Sequence, residues 1–227
     1  MKLRIFLVVV FGIGGTAILL SLGVWQMRRL EWKQAILAEI ETRITAAPVA
    51  VPTAPDRAKD RFLPVTLSGR LTGEDLRVLV SRKQIGPGYR VISVIETTDG
   101  RRLLLDRGFL RIADKDKAIE NPDAITVEGN LHWPDEIDGF TPDPDPKTGL
   151  WFARDTDLMA AELKTEPVFV IARVINPADP LIEPLPVSTE GIPNDHLGYA
   201  ITWFLLALVW IIMTGALVWR MTRSDDD

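Results

Sequence analysis

This chain of 227 residues has no cysteine. That absence excludes disulfides, thiolate zinc and copper sites, iron–sulfur clusters and cysteine nucleophiles. It gives no address, because an exported domain without disulfides suits any compartment. Histidine is nearly missing as well. His132 and His196 are the whole supply, too few for a multi-histidine metal site within one protomer. Gly-x-Ser-x-Gly, Ser-x-x-Lys, a Walker loop and a clustered Gly-x-Gly-x-x-Gly are all absent, so the usual signatures of hydrolases and nucleotide binders are missing. No internal repeat is visible. Basic charge is in deficit: setting aside four terminal cations of 26 and three terminal acids of 31 leaves 22 against 28 in the middle, a net charge of −6. A nucleic-acid partner needs a basic face and is not expected.

Charge of either sign is lacking from two long stretches, Ile5 to Trp25 and Leu197 to Trp219. Each matches the ~20 residues that a helix needs to cross hydrocarbon. For the first, the rival reading is a secretory signal peptide, since Lys2 and Arg4 resemble its basic start. The run is long for that role and ends in Val24-Trp25-Gln26 rather than a small-x-small cleavage site, so an uncleaved anchor is expected. The second carries Tyr199, Trp203 and Trp219 near its ends and closes on Arg220 and Arg223, as interfacial belts and basic flanks do. Those arginines place the C-terminus in the cytoplasm, and two spans bring the N-terminus to the same side. Arg28, Arg29 and Lys33 fall on the opposite side, but a loop of this length translocates largely regardless of charge. The expected address is a bacterial inner membrane, with both termini cytoplasmic and the middle periplasmic.

The fold class expected is a membrane α+β protein: two transmembrane helices flanking one mainly antiparallel β domain with few short helices. Residues 1–27 form the first span. Residues 28–46 extend it as a helix, with Leu30, Ala35, Leu37 and Ile40 near helical spacing. A Pro-rich linker, 47–61, follows, broken by Pro48, Pro52 and Pro55. The β-rich domain is 62–193, the second span 194–220 and the tail 221–227. Within the domain, Val65–Leu71, Arg77–Ser81, Tyr89–Thr97, Arg101–Leu110, Ile125–Trp133 and Val168–Val174 read as strands. Thr98-Asp99-Gly100 marks a hairpin. Thr156–Leu163 reads as a short helix with Asp155 as N-cap. Asp138 to Gly149 is a loop dense in Pro, Asp and Gly, and Pro177 to Pro193, with five prolines, is an extended arm.

Among candidate binding residues, His196 stands where the second span enters the bilayer. A neutral imidazole there can ligate heme iron. Trp203, seven residues on, falls two turns along on nearly the same face, and an imidazole above an aromatic on a lipid-side surface would suit a flat apolar macrocycle. Equally, histidine tolerates interfaces and could bond a loop carbonyl. His132, beside Trp133 in an alternating strand, reads as structural. Trp25, Trp210 and Trp219 read as interface anchors or packing. The loop of Asp138, Asp143 and Asp145 has prolines and lacks the glutamate of an EF-hand, so an ordinary surface loop is expected. Gly12-Ile13-Gly14-Gly15 lies inside the first span and reads as a close helix–helix approach.

Several stretches together resemble the Surfeit locus protein 1 family over nearly the whole length. They are Gly23-Val24-Trp25-Gln26-Met27-Arg28-Arg29-Leu30-Glu31-Trp32-Lys33, Gly86-Pro87-Gly88-Tyr89-Arg90-Val91, Asp106-Arg107-Gly108-Phe109, and Phe140-Thr141-Pro142 with Trp151-Phe152-Ala153-Arg154-Asp155. The last and most specific is Asn194-Asp195-His196-Leu197-Gly198-Tyr199-Ala200-Ile201-Thr202-Trp203-Phe204. One departure stands out: the family usually has Asn-Arg-Gly-Trp where this chain has Asp106-Arg107-Gly108-Phe109. The resemblance implies a non-catalytic assembly factor for heme–copper cytochrome c oxidase that helps deliver heme A to the large subunit, with heme A synthase as a further partner. It makes His196 the axial ligand of the heme iron, with Trp203, Tyr199 and Trp25 lining the cargo and Arg28 and Arg29 pairing with its propionates. Those arginines could instead bind lipid headgroups. A scaffold without cofactor is the alternative.

Overall fold

A computed structural model describes residues 2–83, 85–189 and 192–223. Met1, Gln84, the arm residues Glu190 and Gly191, and residues 224–227 of the tail lie outside them. The chain divides into two compact units, Met1–Glu39 with Thr189–Asp227, and Ile40–Ser188.

The first unit is a helix pair. Helix α1 runs Lys2–Ile44 and the C-terminal helix α3 runs His196–Arg223. Both are long and apolar enough to cross a membrane. In α1, Gly12, Thr16, Leu19, Gly23, Gln26 and Leu30 recur at steps of four and three, and all are buried or half-buried. In α3, His196, Ala200, Trp203, Ala207, Trp210 and Thr214 repeat the same steps. That 3.5-residue repeat is the seam of two helices packed knobs into holes. The pairing is antiparallel. A Cβ at Gly15 would lie 2.5 Å from the Trp210 indole nitrogen, and one at Gly23 would lie 2.5 Å from the Phe204 ring. Small residues on α1 thus receive large ones on α3. The Trp210 N–H donates to the Gly12 carbonyl at 3.1 Å, which satisfies a donor that hydrocarbon would leave unpaired. Polarity runs inside out: the seam holds Thr16, Gln26 and Thr214, whereas Phe6, Leu7, Phe11, Leu206, Ile212 and Met213 are exposed. An aqueous protein would not present so continuous an apolar surface; an anchoring pair does.

The second unit is a barrel. Its principal strands are β2 (Pro64–Arg82), β3 (Gly86–Thr97), β4 (Arg102–Arg111), β5 (Ile125–Leu131) and β7 (Phe169–Asn176). They are hydrogen-bonded in the order β2-β3-β4-β7-β5, and β5 returns to β2 to close the ring. A five-stranded barrel with one out-of-order strand is the Greek-key plan of OB-type folds. Short strands β1 (Val49–Ala50), β6 (Leu150–Trp151) and β8 (Ile182–Glu183) add at its margins. Val65–Leu71 and Arg77–Ser81, expected as two strands, are one. Its first part pairs with β5, its remainder with β3, and Gly69 belongs to both ladders. A Cβ there would lie 2.9 Å from the Glu96 carbonyl carbon, so glycine permits the corner.

The sheet is mixed rather than mainly antiparallel. Strands β4 and β7 pair in parallel, as do β1 and β6 with β2. The chain leaves the far end of β4, returns along β5, which is antiparallel to β7, and after α2 (Thr156–Leu163) enters β7 from the starting edge of β4. Alternation along a strand reports which face is buried, not the direction of its neighbour. In β4, Leu103 and Leu105 join the barrel interior with Val65, Val127 and Val170, while Leu104 joins Phe169, Ile171 and Met159 outside, beneath α2. Both faces of this parallel pair are covered, as parallel strands require. Helix α2 begins as the sequence predicts, with Asp155 accepting the N–H groups of Asp157 and Leu158, both at 3.0 Å.

Candidate functional site

His196 is the first residue of α3 and lies half-buried on the seam. Its Nδ1 meets the amide oxygen of Gln26 at 2.8 Å. Gln26 itself is buried, at 9% exposure, and a buried amide needs a partner. Lys33 donates to the Pro193 carbonyl and ties down the residues just before α3. Trp203 lies on the same stripe of α3 as His196 and is half-buried. Outside the seam stand Trp25, Tyr199, Arg28 and Arg29, all exposed. The Arg29 guanidinium lies over Trp32 and Trp25, 5.0 and 5.7 Å from their ring centroids. His196 is therefore brought together with Gln26 and, along one stripe, with Trp203. Trp25, Tyr199 and the two arginines occupy outward faces of their helices.

The donor set can be tested against a heme. An Nδ1–H donated to the Gln26 oxygen leaves the Nε2 lone pair as the iron-binding position. Among the described residues Nε2 makes no hydrogen bond. A nitrogen donor oriented through its other nitrogen, on an apolar helix pair, fits such a group. No cluster of three metal-ligating side chains exists among the described residues, so an iron would rely on this single imidazole.

A second constellation lies in the barrel. Asp106 is fully buried; its Oδ2 accepts from Arg90 and, at 3.2 Å, from Arg154. Its Oδ1 accepts the Gly108 N–H at 3.1 Å. Arg154 also forks onto Glu136. Burial pushes the Asp106 carboxyl up, against the pull of the two guanidiniums. At Glu136 burial raises the carboxyl, but Arg154 outweighs it and holds the group below its ordinary value. Arg107, bulged out of β4, forms a separate buried pair with Asp179 at 3.1 Å and donates to the Glu120 carbonyl at 2.8 Å. A Cβ at Gly88 would overlap the Phe109 ring, and Arg82 lies 5.3 Å over that ring. The stretches around Tyr89-Arg90, Asp106-Arg107 and Arg154-Asp155, far apart in sequence, thus meet on one buried carboxylate. Neither Asp106 as a hub nor Gln26 as a histidine partner is visible in the sequence, because both contacts cross long separations.

A comparison of the chain with family models matches the SURF1 family over residues 14–208. The chain belongs to the SURF1 family. Among curated relatives, it is 26% identical to Surfeit locus protein 1 of Rattus norvegicus, over 81% of this chain and 67% of the rat protein. It is 27% identical to that of Homo sapiens, over 82% of this chain and 69% of the human one. A SURF1-like protein of Rickettsia felis is 27% identical, over 86% of this chain and 90% of its own length. The match includes Gln26, Asp106, His196 and Trp203 within its bounds.

His132 takes the structural place expected of it. It stacks on Phe62 with centroids 5.1 Å apart, and burial, aided by the positive charge of Arg61, lowers its pKa to about 4. A histidine held below its unfolded value of ~6.5 favours the neutral folded form. Stability is full above pH ~6.5 and falls as the pH drops from ~6.5 toward 4, because only the unfolded chain takes the proton there. The loss should reach about 3 kcal/mol at the lower limit. Denaturant unfolding from pH 7 to pH 4 should show a shallower decline in His132→Leu than in the wild type. Parallel declines would refute this assignment.

Proposed function

We propose that this chain is a non-catalytic assembly factor for heme–copper cytochrome c oxidase, holding heme A through His196 and aiding its delivery to the large subunit. The family is one of oxidase assembly factors, and the observation that carries the heme reading is the His196–Gln26 contact at 2.8 Å. In this reading α1 and α3 anchor the chain in a bacterial inner membrane, both termini face the cytoplasm, and the barrel is periplasmic. The positive flank Arg220 and Arg223 supports that orientation. The cargo's apolar tail stays in lipid beside the pair, and Arg28 and Arg29 serve its propionates near the membrane edge. A single axial bond suits a protein that must release what it carries. Heme A synthase is the natural donor partner and the oxidase large subunit the acceptor.

The test is the heme content and absorption spectrum of the full chain, purified in detergent from cells that make heme A. The wild type should carry heme A and His196→Ala should lose it. An unchanged content and spectrum in the variant would remove His196 as ligand. One observation favours a second reading, a scaffold without cofactor: the Asp106 network builds its motif residues into barrel packing, with no iron donor among them. Co-purification with the large subunit in the absence of heme would support that reading.

A further inference from the structure

Gln26 interrupts an otherwise apolar or small-residue stretch of the α1 seam between Gly23 and Leu30. Burying a primary amide there is unfavourable unless it is hydrogen-bonded. Its partner is the Nδ1 of His196, 170 residues away in sequence. The geometry points to Gln26 as a positioning residue that selects the iron-ligating tautomer of His196 and limits the strength of its bond to heme. This rests on the heme-handling reading of the same histidine.

A neutral imidazole carries one proton, and the nitrogen that bears it cannot bind iron. An acceptor at Nδ1 holds the proton there and turns the Nε2 lone pair outward. Gln26 presents its oxygen to that nitrogen, so the tautomer is fixed before any cargo arrives. The acceptor is also uncharged. A carboxylate in the same place would draw the proton further, give the imidazole more anionic character and make it a stronger donor. A neutral amide orients the ring without that gain, which suits a site built for transfer rather than retention. A bond that merely clamps α1 to α3 would account for the contact but would not make cargo affinity depend on the charge of the acceptor.

The experiment uses the full chain in detergent, titrated with heme A. Gln26→Leu removes the acceptor at similar bulk, and heme A affinity should fall by about tenfold or more. Gln26→Glu keeps the shape and adds charge; affinity should rise and the reduction potential of the bound iron should move down. On the cargo-free protein, nitrogen NMR of the His196 ring should report the Nδ1–H tautomer in the wild type and its loss in Gln26→Leu. Should Gln26→Leu pack poorly, the rise in affinity in Gln26→Glu still decides the matter, since damage to the helix pair would lower it. Wild-type affinity in Gln26→Leu, or an unchanged or weakened affinity in Gln26→Glu, overturns the inference. Retention of heme A by His196→Ala overturns the underlying reading instead, so the two failures are distinguishable.

Discussion

Asp106→Ala is expected to destabilise the barrel by about 3–5 kcal/mol, the usual result of removing one partner from a buried charge network. Without the carboxylate, the guanidiniums of Arg90 and Arg154 face each other in a site where Asp106 is fully buried, and only Glu136 remains to compensate them. The Gly108 N–H also loses its acceptor. Thermal unfolding of the detergent-purified chain should register the change as a fall of roughly 10 °C, at about 2–4 °C per kcal/mol for a domain near this size. Asp106→Asn keeps Oδ1 as an acceptor for Gly108 but loses the charge and replaces the Oδ2 that accepts from Arg90 and Arg154 with an NH2 donor. It should cost less, about 1–3 kcal/mol. A loss below about 1 kcal/mol for the alanine variant would mean that the quartet is not a structural hub.

The parts of this architecture that the sequence announces are those written in local chemistry. Apolar runs without charge became α1 and α3. Asp99-Gly100 became a tight hairpin, with the Gly100 N–H donating to the Thr97 carbonyl at 2.9 Å. Asp155 capped the helix it was expected to cap. What stayed hidden depends on long-range pairing. Gly69, Gly73 and the polar residues around them look like a break, yet they are the corner and the bulge of one continuous strand. The barrel closes through β2 and β5, whose residues are some sixty positions apart, and no local pattern encodes that choice. The same holds for function. His196 is conspicuous because it is one of two histidines, whereas Gln26 is one polar residue among many until α3 folds back beside it. Trp203 is visible as a seventh-residue neighbour of His196, whereas the face of α3 that meets the α1 glycines, through Phe204, Trp210 and Thr214, is not.

Gly108 shows how one backbone position supports both the barrel and the buried quartet. Its φ is +123°, a region that side chains rarely enter. A Cβ added there would overlap the Glu183 carbonyl oxygen and sit 2.7 Å from the Glu183 carbonyl carbon and the Pro184 Cα. Those obstacles are backbone atoms of β8 and the residue after it, so no rotamer change relieves them. Gly108→Ala should cost about 3–5 kcal/mol, combining conformational strain with overpacking. Gly100 provides the control. Its φ is +85°, but nothing lies within 4 Å of an added Cβ, so Gly100→Ala should lose only about 1–2 kcal/mol. Because the Gly108 N–H bonds Asp106, displacing β4 at this point also loosens the quartet. The double variant Gly108→Ala with Asp106→Ala should therefore lose less stability than the two single losses added together, by about 1 kcal/mol or more. Strict additivity would show that the close approach to β8 and the buried carboxylate act independently, and equal losses at Gly108 and Gly100 would show that the approach to β8 carries no cost of its own.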